Sequence, residues 1–333
     1  MIRRPPRSTQ GVSSAASDVY KRQAINRYGS ENPDLRFDLP LTDFNSIAER
    51  TDFKVFRSVL ADGGGIRALT VPADFGLSRS RIDVLEKQVK SQGAKGLAWT
   101  RVTGDSFDGG IARFLSGVDR EAIEVLGATQ GDVVLFVADK LKIACESLGE
   151  VRNSLGKTQN LKGHRFCWIN DFPLFEWDEE GNRWDPSHHP FSMPNDEDLN
   201  RLESDPGSVR GQVYDLVIDG VELGSGSIRI HDRSLQERVF SLIGINQEEA
   251  RRRFGFMLDA FRYGPPPHGG IAFGLDRLVM IMAGQPTIRE VIAFPKNTAM
   301  ASLMDGSPAA VDSEQLTLVG LQISAAQNDD ESV

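Results

Sequence analysis

The dipeptide Asp219-Gly220 stands between two runs of alternating apolar residues, 211–218 and 221–230. Two-residue loops of this type take backbone angles that match the twist of paired strands, so the text predicts an antiparallel hairpin. The loop also sets a register, with Ile218 opposite Val221, Val217 opposite Glu222 and Asp215 opposite Gly224. Asp215 and Glu222 then become diagonal neighbours on one face, which Gly224 and Gly226 keep open. Two carboxylates so placed suit Mg2+, a hard cation that completes its shell with water and phosphate oxygens. The alternative is a plain acidic face turned to solvent.

Arg229 lies seven residues beyond Glu222, an odd spacing that a regular strand would turn to the opposite face. A bulge at Gly224-Ser225-Gly226 is therefore predicted, because glycine accepts the angles a bulge demands. With the bulge, Arg229 turns inward and its planar fork can hold a carboxylate in bidentate fashion. Without it, Arg229 is a surface strand residue.

Around this hairpin the patterning predicts an α+β chain. Residues 51–148 read as a self-contained unit, with strands at 54–59, 66–71, 97–102 and 133–138 and a helix at 138–148. Another helix starts at Ser78 or Ser80 and carries Ile82, Leu85 and Val89 at helical spacing. Asp62-Gly63-Gly64-Gly65 is a turn, since no Lys-Ser/Thr helix follows it as a phosphate loop requires. Later come a strand at 165–170 with Phe166 and Trp168 on one face, and a helix capped by Asn246 that carries Phe254, Leu258 and Phe261. A last strand at 270–273 runs into a helix at 275–283.

That last junction, Gly269-Gly270-Ile271-Ala272-Phe273-Gly274-Leu275-Asp276-Arg277-Leu278, lets backbone approach a flat ligand and then aims a helix start and an arginine at the same space. It suits a nucleotide; the alternative is close strand–helix packing with an Asp276–Arg277 ion pair. His188-His189-Pro190-Phe191 closes a polar loop, and adjacent side chains on extended backbone point apart, so at most one histidine is expected in a site. Arg251-Arg252-Arg253 reads as a solvated helix face.

The formal charge of −9 is uneven, because residues 1–27 hold six basic residues against Asp18. The acidic remainder argues against non-specific duplex binding and leaves a local basic patch open. Two cysteines, Cys145 and Cys167, make a disulfide framework improbable and favour a reducing, cytoplasmic setting. No Cys/His spacing suggests zinc, and no run approaches the ~20 apolar residues of a bilayer span. Residues 1–23 show no apolar periodicity, and Pro5-Pro6 would spoil a targeting helix, so a disordered leader is expected. The string resembles translated sequencing-adapter read-through, which would start the biological sequence near Ala24; a transit peptide is the alternative.

Taken together, YGSENPDLR at 28–36, HHPF at 188–191, YDLVIDGVELGSGSIRIHD at 214–232 and GGIAFGLDRL at 269–278 resemble the C-terminal portion of a bacterial-type aspartyl-tRNA synthetase. GGIAFGLDRL is similar to motif 3 of class II synthetases. The resemblance implies a partial antiparallel-sheet catalytic domain in two parts, 24–50 and 151–325, around a GAD-type α+β insertion at 51–150, with a disordered tail at 326–333. It implies ATP contacts at Glu222, Gly274, Leu275, Asp276 and Arg277, a metal at Asp215 and Glu222, and aspartate contacts at Arg229 and His188. Arg277, Glu222 and Asp215 are the implied catalytic residues. The implied reactants are L-aspartate, ATP with Mg2+, and tRNA(Asp), with tRNA(Asn) as an added acceptor in non-discriminating relatives, on a homodimer with no membrane association. Nothing in the chain resembles the anticodon-binding domain, motif 1 or motif 2, so a fragment inactive by itself is expected. A non-catalytic module associated with nucleotide or tRNA is the alternative from another class.

Overall fold

The structure, a computed structural model, describes residues 17–159 and 161–323. Residues 1–16 of the expected leader and the expected tail at 326–333 lie outside the described residues. The chain divides between Phe273 and Gly274 into two compact units.

The first unit opens with β1 (Ser17–Tyr20), α1 (Lys21–Tyr28), β2 (Leu41–Asp43), α2 (Asn45–Ala48), α3 (Lys54–Ala61), β3 (Gly65–Val71) and α4 (Arg79–Ser91). It continues through β4 (Ala98–Thr103), β5 (Ser106–Asp108), α5 (Asp119–Leu126), β6 (Val133–Asp139) and α6 (Leu141–Gly156). Next come β7 (Phe166–Pro173), the small pair β8 (Phe175–Asp178) and β9 (Arg183–Pro186), β10 (Arg210–Ile218) and β11 (Val221–Ile228). α7 (Arg233–Leu242), α8 (Gln247–Phe261) and β12 (Gly269–Phe273) complete it. The second unit holds α9 (Leu275–Met282) and α10 (Ser313–Leu318).

One antiparallel sheet, ordered β2-β3-β6-β4-β5, is covered on both faces. Val133, Leu135 and Val137 of β6 pack with α4 and α6, while Val134 and Phe136 pack with Phe44, Ile47 and Phe56. Burial on both sides is why β6 reads as a continuous apolar run over 133–138. α4 starts where its Ser78 cap predicts, with the Ser78 hydroxyl accepting from the Arg81 N–H.

Residues 54–59, expected as a strand, form α3 instead. Phe56 and Val59 are buried one helical turn apart while Val55 is half exposed, a spacing that short apolar runs share between helix and strand. α6 begins three residues later than expected and runs on to Gly156, and β2 pairs with β3.

The second sheet, β1-β7-β10-β11-β12, carries the hairpin. Its pairs are antiparallel except β1 with β7, which run parallel. Residues 17–23 of the expected disordered leader thus hold regular structure. Main-chain pairing needs no side-chain pattern, and α1 is anchored by Lys21 Nζ, 3.0 Å from Glu31, and by buried Ala24. Among the described residues no helix is long and apolar enough to cross a membrane.

Candidate functional site

Asp219 and Gly220 take φ of 53° and 83°, the paired left-handed angles that an Asp-Gly hairpin loop requires. Ile218 pairs with Val221 and Val217 with Glu222 as predicted, but Leu216 pairs with Gly224 and Asp215 with Ser225. The extra residue on β11 is Leu223, so the bulge exists and sits just ahead of the glycines. Directly opposed residues share a face, so Glu222, Ser225 and Ser227 join Asp215, and the alternation carries Arg229 to the same side. Arg229 extends the pairing by donating its N–H to the His268 carbonyl at 2.9 Å and bridging Ser192.

Gly224 and Gly226 do not keep the carboxylate face open as expected; they lie on the opposite one. A Cβ on Gly226 would stand 2.2 Å from the Gly270 carbonyl oxygen, and one on Gly224 would stand 2.8 Å from the Phe273 ring. These glycines let β12 approach β11.

Asp215 is 7% exposed and its Oδ1 has no hydrogen-bond partner. Burial pushes its carboxyl above the usual range, a hydrogen bond from Ser225 opposes this, Glu222 raises it further, His188 lowers it and Glu31 raises it. Among the described residues no three His, Cys, Asp or Glu side chains are grouped to hold a metal ion. The orphaned Asp215 oxygen beside the Glu222 carboxylate nevertheless fits the donor set a phosphate-bound divalent cation uses.

Both histidines of the polar loop reach this face, where at most one was expected. His188 meets the Phe172 ring edge-on at 4.9 Å and acts electrostatically on Asp215. His189 Nδ1 accepts from the Phe191 N–H at 3.2 Å and from Arg229 Nη1 at 3.1 Å, and its Nε2 lies 3.5 Å from the Ser227 hydroxyl. Burial, then Arg229, then His188 hold the His189 imidazole below its ordinary range. The loop is fixed from behind, since the buried Gln236 amide donates to the Pro190 carbonyl at 2.8 Å and Phe191 packs edge-on to Phe240 and Phe254.

The hairpin tip is gripped by the 28–36 segment. Arg36 bonds Asp34 at 2.6 Å and lies 3.4 Å from Asp219, whose carboxylate also accepts from the Arg165 N–H at 2.9 Å. Arg152 of α6, fully buried, donates to the carbonyls of Leu39, Asp34 and Phe37 between the rings of Tyr28 and Phe37. The patterns that singled out Asp215, Glu222, Arg229 and His188 did not reveal His189, Ser225, Ser227 or Glu31. The repeated serines of Gly224-Ser225-Gly226-Ser227 were the available signal.

The remaining candidates lie in the second unit. Gly274 caps α9 with extended backbone, and Leu275, Asp276 and Arg277 form its exposed first turn. The Arg277 stem packs close to Gly274, where an added Cβ would meet its Cδ at 3.4 Å.

The family model described as tRNA synthetases class II (D, K and N) matches residues 12–298. An aspartate–tRNA(Asp/Asn) ligase of Treponema denticola is 50% identical over 307 residues, covering 90% of this chain and 52% of that protein. An aspartate–tRNA ligase of Bacillus licheniformis is 46% identical over 324 residues, covering 95% and 55%. A solved aspartyl tRNA synthetase from Entamoeba histolytica is 26% identical across 46% of this chain and 26% of its own, with a TM-score of 0.32. The chain spans about half the length of the curated relatives it matches. With a family match over most of its length, the chain belongs to the class II tRNA synthetases of the D, K and N group.

Proposed function

We propose that the chain carries the amino-acid-binding half of an aspartate–tRNA ligase. The observation that carries this reading is the bulge that turns Asp215, Glu222 and Arg229 to one face. Arg229 offers its fork to the side-chain carboxylate of L-aspartate, and His188 lies over the same face. Asp215 and Glu222 would hold Mg2+, which would supply neutralisation of phosphate charge on ATP. In the second unit, Gly274, Leu275, Asp276 and Arg277 are the proposed ATP contacts.

In this reaction the α-carboxylate of aspartate attacks the α-phosphorus of ATP. A carboxyl–phosphate bond forms, the α–β bridging P–O bond breaks and pyrophosphate leaves. A terminal ribose hydroxyl of tRNA(Asp) then attacks the activated carbonyl, and AMP leaves. The substrate supplies the attacking oxygen, so no side chain need be nucleophilic, and alignment with charge neutralisation is what the protein contributes.

Naming of the Treponema denticola relative for both acceptors supports a second reading, in which tRNA(Asn) is charged as well. The homodimer and the cytoplasmic setting belong to the same proposal; two buried free thiols, Cys145 and Cys167, suit a reducing compartment. Calorimetric binding of L-aspartate, with L-asparagine and L-lysine as controls, tests the substrate. Binding of L-aspartate that disappears in Arg229→Leu is expected. A preference for L-lysine or L-asparagine, or affinity unchanged in Arg229→Leu, overturns the reading. Any charging of purified tRNA(Asp) or tRNA(Asn) by the chain overturns its expected inactivity, and the acceptor that is charged separates the two readings.

A further inference from the structure

His189 has no role in the aspartate- or ATP-binding set, yet its ring accepts a hydrogen bond from the Arg229 guanidinium. Its Nδ1 faces two groups that can only donate, the Phe191 backbone N–H at 3.2 Å and the Arg229 guanidinium at 3.1 Å. An atom that accepts from both carries no proton, so the ring hydrogen of the neutral imidazole sits on Nε2, toward the Ser227 hydroxyl 3.5 Å away. We infer that His189 is a positioning residue: held as the neutral Nε2–H tautomer, it receives one arm of the Arg229 fork and leaves the rest of that fork aimed at its carboxylate ligand.

The surroundings are built to keep this ring neutral. The charged or titratable groups acting on it are Arg229 from the extension of β11 and His188 from its own loop, and both oppose a second positive charge. The elements that secure the loop from behind, α7 and α8, contribute Gln236, Phe240 and Phe254, none of which titrates. β11 contributes the Ser227 hydroxyl, which is neutral. Protonation would put a hydrogen on Nδ1, remove the acceptor from both donors and place two cations in contact. Arg229 would then turn away from its ring partner, so carboxylate affinity falls with acid through a group that never touches the carboxylate itself.

The proposal rests on the aspartate-binding reading, and the test separates the two. The five histidines of the chain are assigned in its 15N-labelled form by single substitution, and their ring nitrogens are followed from about pH 5 to 8. His189 is expected as the Nε2–H tautomer, titrating below an ordinary imidazole, and its midpoint is expected to rise in Arg229→Met. An Nδ1–H tautomer, or a midpoint that ignores Arg229→Met, overturns the proposal. Affinity for L-aspartate in the wild type is expected to fall with the same midpoint as His189. His189→Asn keeps an acceptor near the Nδ1 position and should retain affinity within a few-fold while losing that midpoint. His189→Leu should lose about tenfold near pH 7.5. An acid midpoint retained in His189→Asn also overturns it. Failure of the wild type to bind L-aspartate at any pH overturns the substrate reading, and the NMR measurement still decides the His189–Arg229 contact.

Discussion

Arg229 and Glu222 stand seven residues apart on one strand path and still share a face of the sheet, because Leu223 is the extra residue of a bulge. A carboxylate and a guanidinium are thereby set on one surface, the arrangement on which the proposed binding of an acidic amino acid beside a metal-bound phosphate rests.

Arg229→Lys keeps the charge and loses the planar fork and its split between His189 and a ligand. Affinity for L-aspartate should fall by about 1.5–3 kcal/mol, the value of a charge-assisted bidentate pair. Thermal unfolding should be nearly unchanged, since the head group is replaced by another cation at a half-buried site. Titration calorimetry measures the first and circular dichroism the second; equal affinity of the two proteins contradicts the role given to Arg229.

Asp215→Asn should stabilise the protein at neutral pH. The folded state raises the Asp215 carboxyl, so it holds the proton more tightly than the unfolded chain. Stability from this group is therefore lost as pH rises through the folded value, and the ionised side chain is a net cost at pH 7. The gain should be about 1 kcal/mol or more, from removal of a buried charge with an unpartnered oxygen. It should shrink toward acid, where the wild type is protonated in both states. Urea unfolding at several pH values reads this directly. Millimolar Mg2+ should stabilise the wild type and leave Asp215→Asn unmoved.

Gly226→Ala and Gly270→Ala form a matched pair. The first puts a methyl 2.2 Å from a backbone carbonyl oxygen, whereas the second meets nothing within 4 Å. Gly226→Ala should cost about 2 kcal/mol or more by forcing β12 away from β11, and Gly270→Ala about 0.5 kcal/mol or less. Faster amide exchange confined to β11 and β12 in the first variant would locate the damage.

Arg152→Met removes a fully buried guanidinium that burial pulls down to about 10, still charged at neutral pH. Three carbonyls, of Leu39, Asp34 and Phe37, then lose their donor. A destabilisation of about 3 kcal/mol or more is expected in urea, with partial recovery in Arg152→Lys, which keeps the charge but not the fork. Full stability of Arg152→Met would show that water replaces the donor.

Local rules were readable in the chain because their physics is local. Asp219-Gly220 demands left-handed angles whatever surrounds it, and Ser78 and Asn246 each cap a helix through an N–H three residues on. The continuous apolar text of 133–138 likewise marks a strand buried on both faces. The odd count between Glu222 and Arg229 forces a bulge if both are to share a face, although its position at Leu223 follows from how β10 and β12 flank β11.

Tertiary structure alone decided the rest. Lys54–Ala61 is a helix because Phe56 finds a sheet beneath it and Val59 is buried one turn on, not because its letters differ from a strand's. Ser17–Tyr20 is a strand because β7 offers it an edge. Arg152 finds its three carbonyls more than a hundred residues away, and His189 meets Arg229 only after loop and strand have been brought together. By itself the sequence determined the turns, the caps and which residue types carry chemistry, since those depend on neighbours in the chain. Which of them meet, and in what protonation state, was decided by packing, since burial and partner charge arise only once distant segments share a surface.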